Sequence, residues 1–196
     1  KGTPTRTALR IAEEIEDVGG AINAYTGKEM TAYYARVLRE DVDLALDILA
    51  DIVLNPLFAS PDIEVERGVI LQEIGQALDT PDDVIFDWLQ EASFPDQPFG
   101  RAILGSSERV SAFAESDLAG FVREHYGPSQ LIVSAAGAID PDAVVRAGER
   151  LFGHLTPRPG LAVLPARFRG RERREERDLE QAHIAIAFEA PGIRAE

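Results

Sequence analysis

Apolar residues recur at helical spacing over residues 6–18, where Ala8, Ile11, Ala12, Ile15 and Val18 fall on one face, so this stretch reads as an amphipathic helix. Gly19-Gly20 ends it. Ala21–Tyr25 and Met30–Leu38 then read as two strands around Thr26-Gly27-Lys28-Glu29, a turn with Gly available for positive φ. A second helix is expected over 40–54, with Leu44, Leu46, Ile48, Leu49 and Ile52 apolar and Pro56 beyond its end. Pro61 opens a third helix that runs to about Leu78. Asp79-Thr80-Pro81 breaks it, and a fourth helix is expected over 82–93. Residues 95–105 read as a loop, 107–112 and 115–125 as helical segments, Leu131–Ile139 as an apolar strand and Pro141–Leu155 as an amphipathic helix. Arg174–Leu179 and Ala182–Phe188 read as further strands.

Strand pairs and helices alternate here without a strict βαβ rhythm. The pattern therefore predicts an α+β fold, a two-layer α/β sandwich with a mostly antiparallel sheet packed against helices. Pro157, Pro159 and Pro165, with several Gly and Arg, mark a break in periodicity. The expected organisation is a first αβ unit over 1–156, truncated at its start, a linker over 157–171, and the start of a second αβ unit over 172–196.

Composition narrows the function classes. The net charge is −14, from 20 basic and 34 acidic residues, which argues against nucleic acid or an anionic membrane surface as the main partner. The one basic run, Arg167–Arg174, is followed at once by Glu175 and Glu176 and reads as solvated linker. No apolar stretch approaches the about 18 residues of a membrane span. With no cysteine, disulfides, thiolate catalysis and Cys-ligated zinc are excluded. His125, His154 and His183 lie far apart, and none has a His or Glu at helical metal-site spacing. The first residues, KGTPTRTALR, lack the apolar core of a signal peptide, so a cytoplasmic location is expected, although the chain does not begin with Met.

Within the third helix, Ile63, Ile70, Ile74 and Ala77 share an arc, and Glu66 and Glu73 fall inside it, two turns apart. A carboxylate on a buried face costs several kcal/mol unless it is paired or coordinated. Two readings follow from the spacing: structural carboxylates with a cationic partner such as the adjacent Arg67, or a metal or catalytic site.

Several blocks, in order, resemble the pitrilysin/insulinase family of zinc peptidases. Lys1-Gly2-Thr3 resembles the tail of the stretch that follows the family's H-x-x-E-H motif. Ile22–Tyr34 (INAYTGKEMTAYY) is similar to its hairpin of the form N-A-x-T followed by T-x-Y-Y. Glu66–Asp83 (ERGVILQEIGQALDTPDD) resembles the helix that carries its distal zinc glutamate, and Pro98–Gly105 (PFGRAILG) its P-x-G-R-x-I-L-G segment. Gln181–Phe188 resembles the strand that opens the second half of the family's domain.

The resemblance implies a zinc-dependent endopeptidase acting on extended or unfolded peptides inside a clamshell chamber. Two His of the H-x-x-E-H motif bind zinc, and the Glu between them is the general base. The resemblance implies that Glu73 is the third ligand, that Glu66 supports the site from one step outside it, and that Asn23 and Ala24 lie on the edge strand that holds a peptide as an added strand. A second domain or subunit of the same kind, in the same chain or as a homodimer or heterodimer partner, is implied too. The chain departs from the family in two respects: it contains no H-x-x-E-H and it lacks the family's C-terminal domain, so residues 1–196 alone are expected to be inactive. The alternative is a non-catalytic scaffold or substrate-binding subunit of the same fold that pairs with an active partner.

Overall fold

The structure, a computed structural model, describes residues 1–157 and 163–192. Residues 158–162 of the expected linker and 193–196 of the expected second unit lie outside the described residues. The fold is α+β. The elements are α1 (Ala8–Glu16), β1 (Ala21–Thr26), β2 (Thr31–Arg36), α2 (Val42–Leu54), α3 (Ser60–Asp79), α4 (Pro81–Ser93), α5 (Ser107–Ala112), α6 (Glu115–His125) and α7 (Pro141–Phe152). Short 3-10 turns, Arg39–Asp41 and Pro98–Gly100, precede α2 and follow α4. The chain divides into two compact units, with the divisions after Glu64, after Ala112 and before Val163.

The first unit holds α1, the hairpin, α2, α6 and α7. Ile11 and Ile15 of α1 and Ala45 and Ile48 of α2 form its buried centre, with Ile22, Ala35, Val37, Leu44 and Ile52 packed against them. Ile22 lies directly opposite Ala35 in the antiparallel ladder, so one face of the hairpin presents its apolar residues to the two helices. Ile15 and Ile48 are fully buried, and each such side chain contributes about 1.5–3 kcal/mol through removal of apolar surface from water. Thr7 caps α1 by accepting from the Arg10 N–H at 3.1 Å.

The connection from α1 to β1 depends on glycine. Gly19 adopts φ +68°, and the Gly19 N–H and Gly20 N–H donate to the Glu16 and Ile15 carbonyls, both at 2.8 Å, closing the helix end. A Cβ on Gly20 would come within 2.8 Å of Val37 Cγ1 and 3.0 Å of the Ile15 carbonyl oxygen, so only glycine lets α1 approach β2 this closely.

In the second unit, α4 starts on Pro81 at its first turn, as the Thr80-Pro81 break predicts. The exposed basic run lies along α4. The Arg169 N–H donates to the Ser93 carbonyl at 3.0 Å, and the Gln97 side chain bonds both the N–H and the carbonyl of Arg167 at 2.8 Å. The Arg173 and Arg177 guanidiniums sit 4.5 and 5.0 Å from the Trp88 ring centroid. The run is solvated, as its composition predicts, yet it is tied down by aromatic stacking and main-chain bonds.

Three expected strands are corrected. Leu131–Ile139, Arg174–Leu179 and Ala182–Phe188 are in no sheet; among the described residues β1 and β2 form the one two-stranded sheet. Apolar, β-branched sequence supplies the propensity, but a strand needs a partner. Ile132, Ile184 and Phe188 are instead more than four-fifths exposed.

Candidate functional site

Helix α3 carries the two sequence-selected acids. Seven residues at 100° each bring Glu66 and Glu73 onto one side, about 10 Å apart along the axis. Their surroundings correct the expected buried arc. Of its members only Ile74 is buried; Ile63, Glu66, Ile70 and Ala77 are half-buried and Glu73 is exposed. An exposed carboxylate keeps its hydration, so Glu73 needs no compensating charge on account of burial. Arg67, the expected cationic partner, donates to the Val110 carbonyl.

The donor set bears on a metal. A catalytic zinc takes three protein ligands and keeps a fourth position open. Among the described residues no three His, Asp or Glu side chains converge on one point. The exposed Glu73 carboxylate fits the part of one oxygen ligand, and the two remaining ligands are not found among these residues.

Asn23 and Ala24 lie in β1, and the hairpin register determines which way their main chains face. The Gly27 N–H donates to the Met30 carbonyl at 2.7 Å, making Gly27 and Met30 a bonded pair across the turn. Bonded and non-bonded pairs alternate along an antiparallel ladder. Counting back through Thr26↔Thr31, Tyr25↔Ala32, Ala24↔Tyr33 and Asn23↔Tyr34, the residues bonded to β2 are Tyr25, Asn23 and Ala21. Ile22, Ala24 and Thr26 therefore direct their N–H and C=O groups to the outer edge of β1. Asn23 Oδ1 accepts from the Ala24 N–H at 2.8 Å, which satisfies that outward donor where, among the described residues, no strand pairs with it.

Two features of the first unit were not visible in the sequence. Tyr33 and Tyr126 meet hydroxyl to hydroxyl at 3.1 Å, beside a cavity of about 410 Å³ whose lining includes Gly2, Ile52, Leu118 and Phe121. Burial, and then the Tyr126 hydroxyl, push the Tyr33 phenol well above its ordinary range, so it remains neutral at physiological pH. The second is a polar network around Asp51. Burial pushes the Asp51 carboxyl up, but donation from Thr3, Thr5, Asn55 and Arg6 outweighs it and holds the group below the usual carboxylate range. For Arg6, burial opposes the charge, and Asp47, Glu14 and Asp51 together outweigh it, raising the guanidinium above its ordinary value. No periodicity links residues 45 or more positions apart, so the sequence carried no signal for this network.

The sign of the Asp51 effect yields a test. A carboxyl with a lowered folded-state pKa adds stability above its unfolded value, about 3.9, and loses it as pH falls through the folded value. The stability gap between wild type and Asp51→Asn in urea unfolding is therefore expected to be wide at pH 7 and to narrow progressively below about pH 4. An equal gap at both ends would contradict the assignment.

Comparison with known proteins identifies the family of the chain. The family model described as Insulinase (Peptidase family M16) matches residues 1–107, and the one described as Peptidase M16 inactive domain matches residues 113–196. A protein of Rickettsia felis named as a zinc protease is 46% identical over 189 residues, covering 96% of this chain and 46% of its own length. A probable mitochondrial-processing peptidase subunit beta of Arabidopsis thaliana is 42% identical over 195 residues, covering 96% of this chain and 37% of its own. The chain thus spans less than half the length of these relatives. A protease from Helicobacter pylori superposes with a TM-score of 0.77 at 18% identity over 87% of this chain and 41% of that one, and so shares the fold. With more than half of its residues matched by the first model, and with relatives at this level of identity, the chain belongs to the insulinase family of peptidases, M16.

Proposed function

We propose that the longer protein containing this chain is a zinc-dependent endopeptidase that cleaves extended or unfolded peptides inside a clamshell chamber. The observation that carries the reading is the outer edge of β1, unpaired among the described residues, where Ala24 and its neighbours present main-chain groups in the register an added strand requires. Membership of the family and the zinc-protease names of the relatives support it. In this reading Glu73 supplies one zinc ligand and Glu66, on the same side of α3, supports the site. An H-x-x-E-H segment ahead of Lys1 supplies two His ligands and the general base. When bound, the metal supplies a polarised water for hydrolysis. This chain's residues hold the peptide: Ile22, Ala24 and Thr26 bond it main chain to main chain, and Asn23 withdraws its carboxamide from the Ala24 N–H as the strand arrives. Residues 1–196 alone neither bind zinc tightly nor hydrolyse peptides. A second M16 domain or subunit, in the same chain or as a partner, closes the chamber.

A second reading is a non-catalytic scaffold or substrate-binding subunit of the same fold that pairs with an active partner. The full-length protein separates the two. Metal analysis is expected to find one zinc per chain, with cleavage of an unstructured peptide. A metal-free, inert protein with either motif His replaced would establish the scaffold.

A further inference from the structure

Tyr33 couples the middle of the hairpin to the end of α6. It lies directly opposite Ala24 in the ladder, so the two side chains leave on the same face. With a period of two, that is also the face on which Ile22 and Ala35 pack against α1 and α2. The Tyr33 and Tyr126 hydroxyls meet at 3.1 Å, and their rings stand 6.4 Å apart at 71°, edge to face. Tyr126 is itself held. It follows the last residue of α6, its N–H donates to the Val122 carbonyl at 2.9 Å, and its ring lies 6.4 Å from that of Phe121. All of these groups belong to the first unit.

Two features make this contact matter for the outer edge of β1. Ala24↔Tyr33 is one of the pairs that exchange no main-chain bond, so its geometry depends on its side chains. Among the described residues the sheet has two strands, and such a hairpin is marginal by itself, so the line of its edge follows what its inner face rests on. Ile22 and Ala35 rest on the buried centre at the open end of the hairpin. Nearer the turn, at Ala24↔Tyr33, the anchor is the phenol. Tyr33 lines the cavity of about 410 Å³, and a ring that faces a cavity lacks packing atoms on that side. The bond to Tyr126, rather than close packing all round, therefore fixes where the phenol sits. We infer that Tyr126 is a positioning residue for peptide docking: through Tyr33 it sets the place of Ala24, the central contact on the outer edge of β1. The inference rests on the reading that peptides add at that edge, and it requires no metal.

The test uses the full-length protein with Tyr126→Phe, Tyr33→Phe and the two combined, since each substitution keeps the ring and removes only the hydroxyl. Ile48→Val, which trims the buried centre of the same unit, is the stability control. Binding of a fluorescein-labelled extended peptide is followed by anisotropy with a chelator present, so that nothing is cleaved, and melting temperature is measured alongside. A smaller folded fraction lowers the amplitude of binding and leaves the dissociation constant alone, whereas a displaced edge raises the dissociation constant. Tyr126→Phe is expected to weaken binding about three- to tenfold, the range one such bond covers. Tyr33→Phe is expected to match it, and the double variant to add nothing, because both substitutions remove the same bond. Ile48→Val is expected to lose melting temperature and keep the wild-type dissociation constant. Should Tyr126→Phe fail to fold, Tyr33→Phe carries the same expected loss. Phe variants that bind as wild type does, or losses that add in the double variant, overturn the positioning role; if Ala24→Pro is weakened in the same assay, the strand-addition reading stands without it. If Ala24→Pro also binds like wild type, or if the wild-type protein does not bind the peptide, both fall.

Discussion

Glu73→Gln in the full-length protein is expected to lose most of its zinc and to lower kcat/KM by more than the 10–100-fold that follows removal of a group one step beyond the metal. The substitution keeps volume and helix propensity, so α3 should retain its fold; Glu73 is exposed and takes no part in a core. What changes is the donor. A carboxylate brings a full negative charge to a divalent cation, whereas a carboxamide oxygen is neutral, and a three-ligand site reduced to two strong ligands holds zinc poorly. Glu66→Gln provides the scale. It lies on the same side of α3 but about 10 Å away along the axis, too far to share the ligand position, so its loss should fall within the 10–100-fold range. Metal analysis and peptide kinetics on both variants check the order. Unchanged zinc content in Glu73→Gln would remove it as a ligand, and equal effects from the two would collapse the distinction between them.

How much of this could be read from the sequence depends on the distance over which the signal acts. Local patterns were legible. The apolar arc of residues 8–18 became α1, the Thr80-Pro81 break separates α3 from α4, and residues 115–125 form α6 with the expected bounds. The hairpin was legible because turn chemistry and alternation act within a dozen residues. The strands expected at Leu131–Ile139, Arg174–Leu179 and Ala182–Phe188 were not, because pairing depends on a partner and propensity does not supply one. The arc of α3 was legible in its angles but not in its burial. Spacing shows that Glu66 and Glu73 face the same way; only packing shows that Glu73 faces an accessible surface. The Asp51 network was illegible, since Thr3, Thr5 and Arg6 are joined to it across more than forty residues with no repeat or motif to announce them.

Ala24→Pro, by contrast, should abolish most peptide cleavage while leaving the hairpin folded, and this asymmetry follows from the register. The Ala24 N–H faces the outer edge, so a proline there removes a donor that the β1–β2 ladder does not use. Its ring would occupy the side from which a peptide adds, and the position loses the bond now made to Asn23 Oδ1. One lost main-chain bond accounts for up to about tenfold in affinity, and the ring's bulk at the docking edge adds to it, so kcat/KM for an extended peptide should fall by about tenfold or more. Tyr25→Pro, one residue on, is the opposite case. The Tyr25 N–H points inward to β2, so proline there breaks a ladder bond and should destabilise the hairpin itself. The pair therefore separates recognition from folding. Circular dichroism and thermal melting should show Ala24→Pro close to wild type and Tyr25→Pro clearly weakened, while cleavage is lost in both. If Ala24→Pro cleaves extended peptides at the wild-type rate, peptides do not add at β1, and the strand-addition reading fails at its central contact.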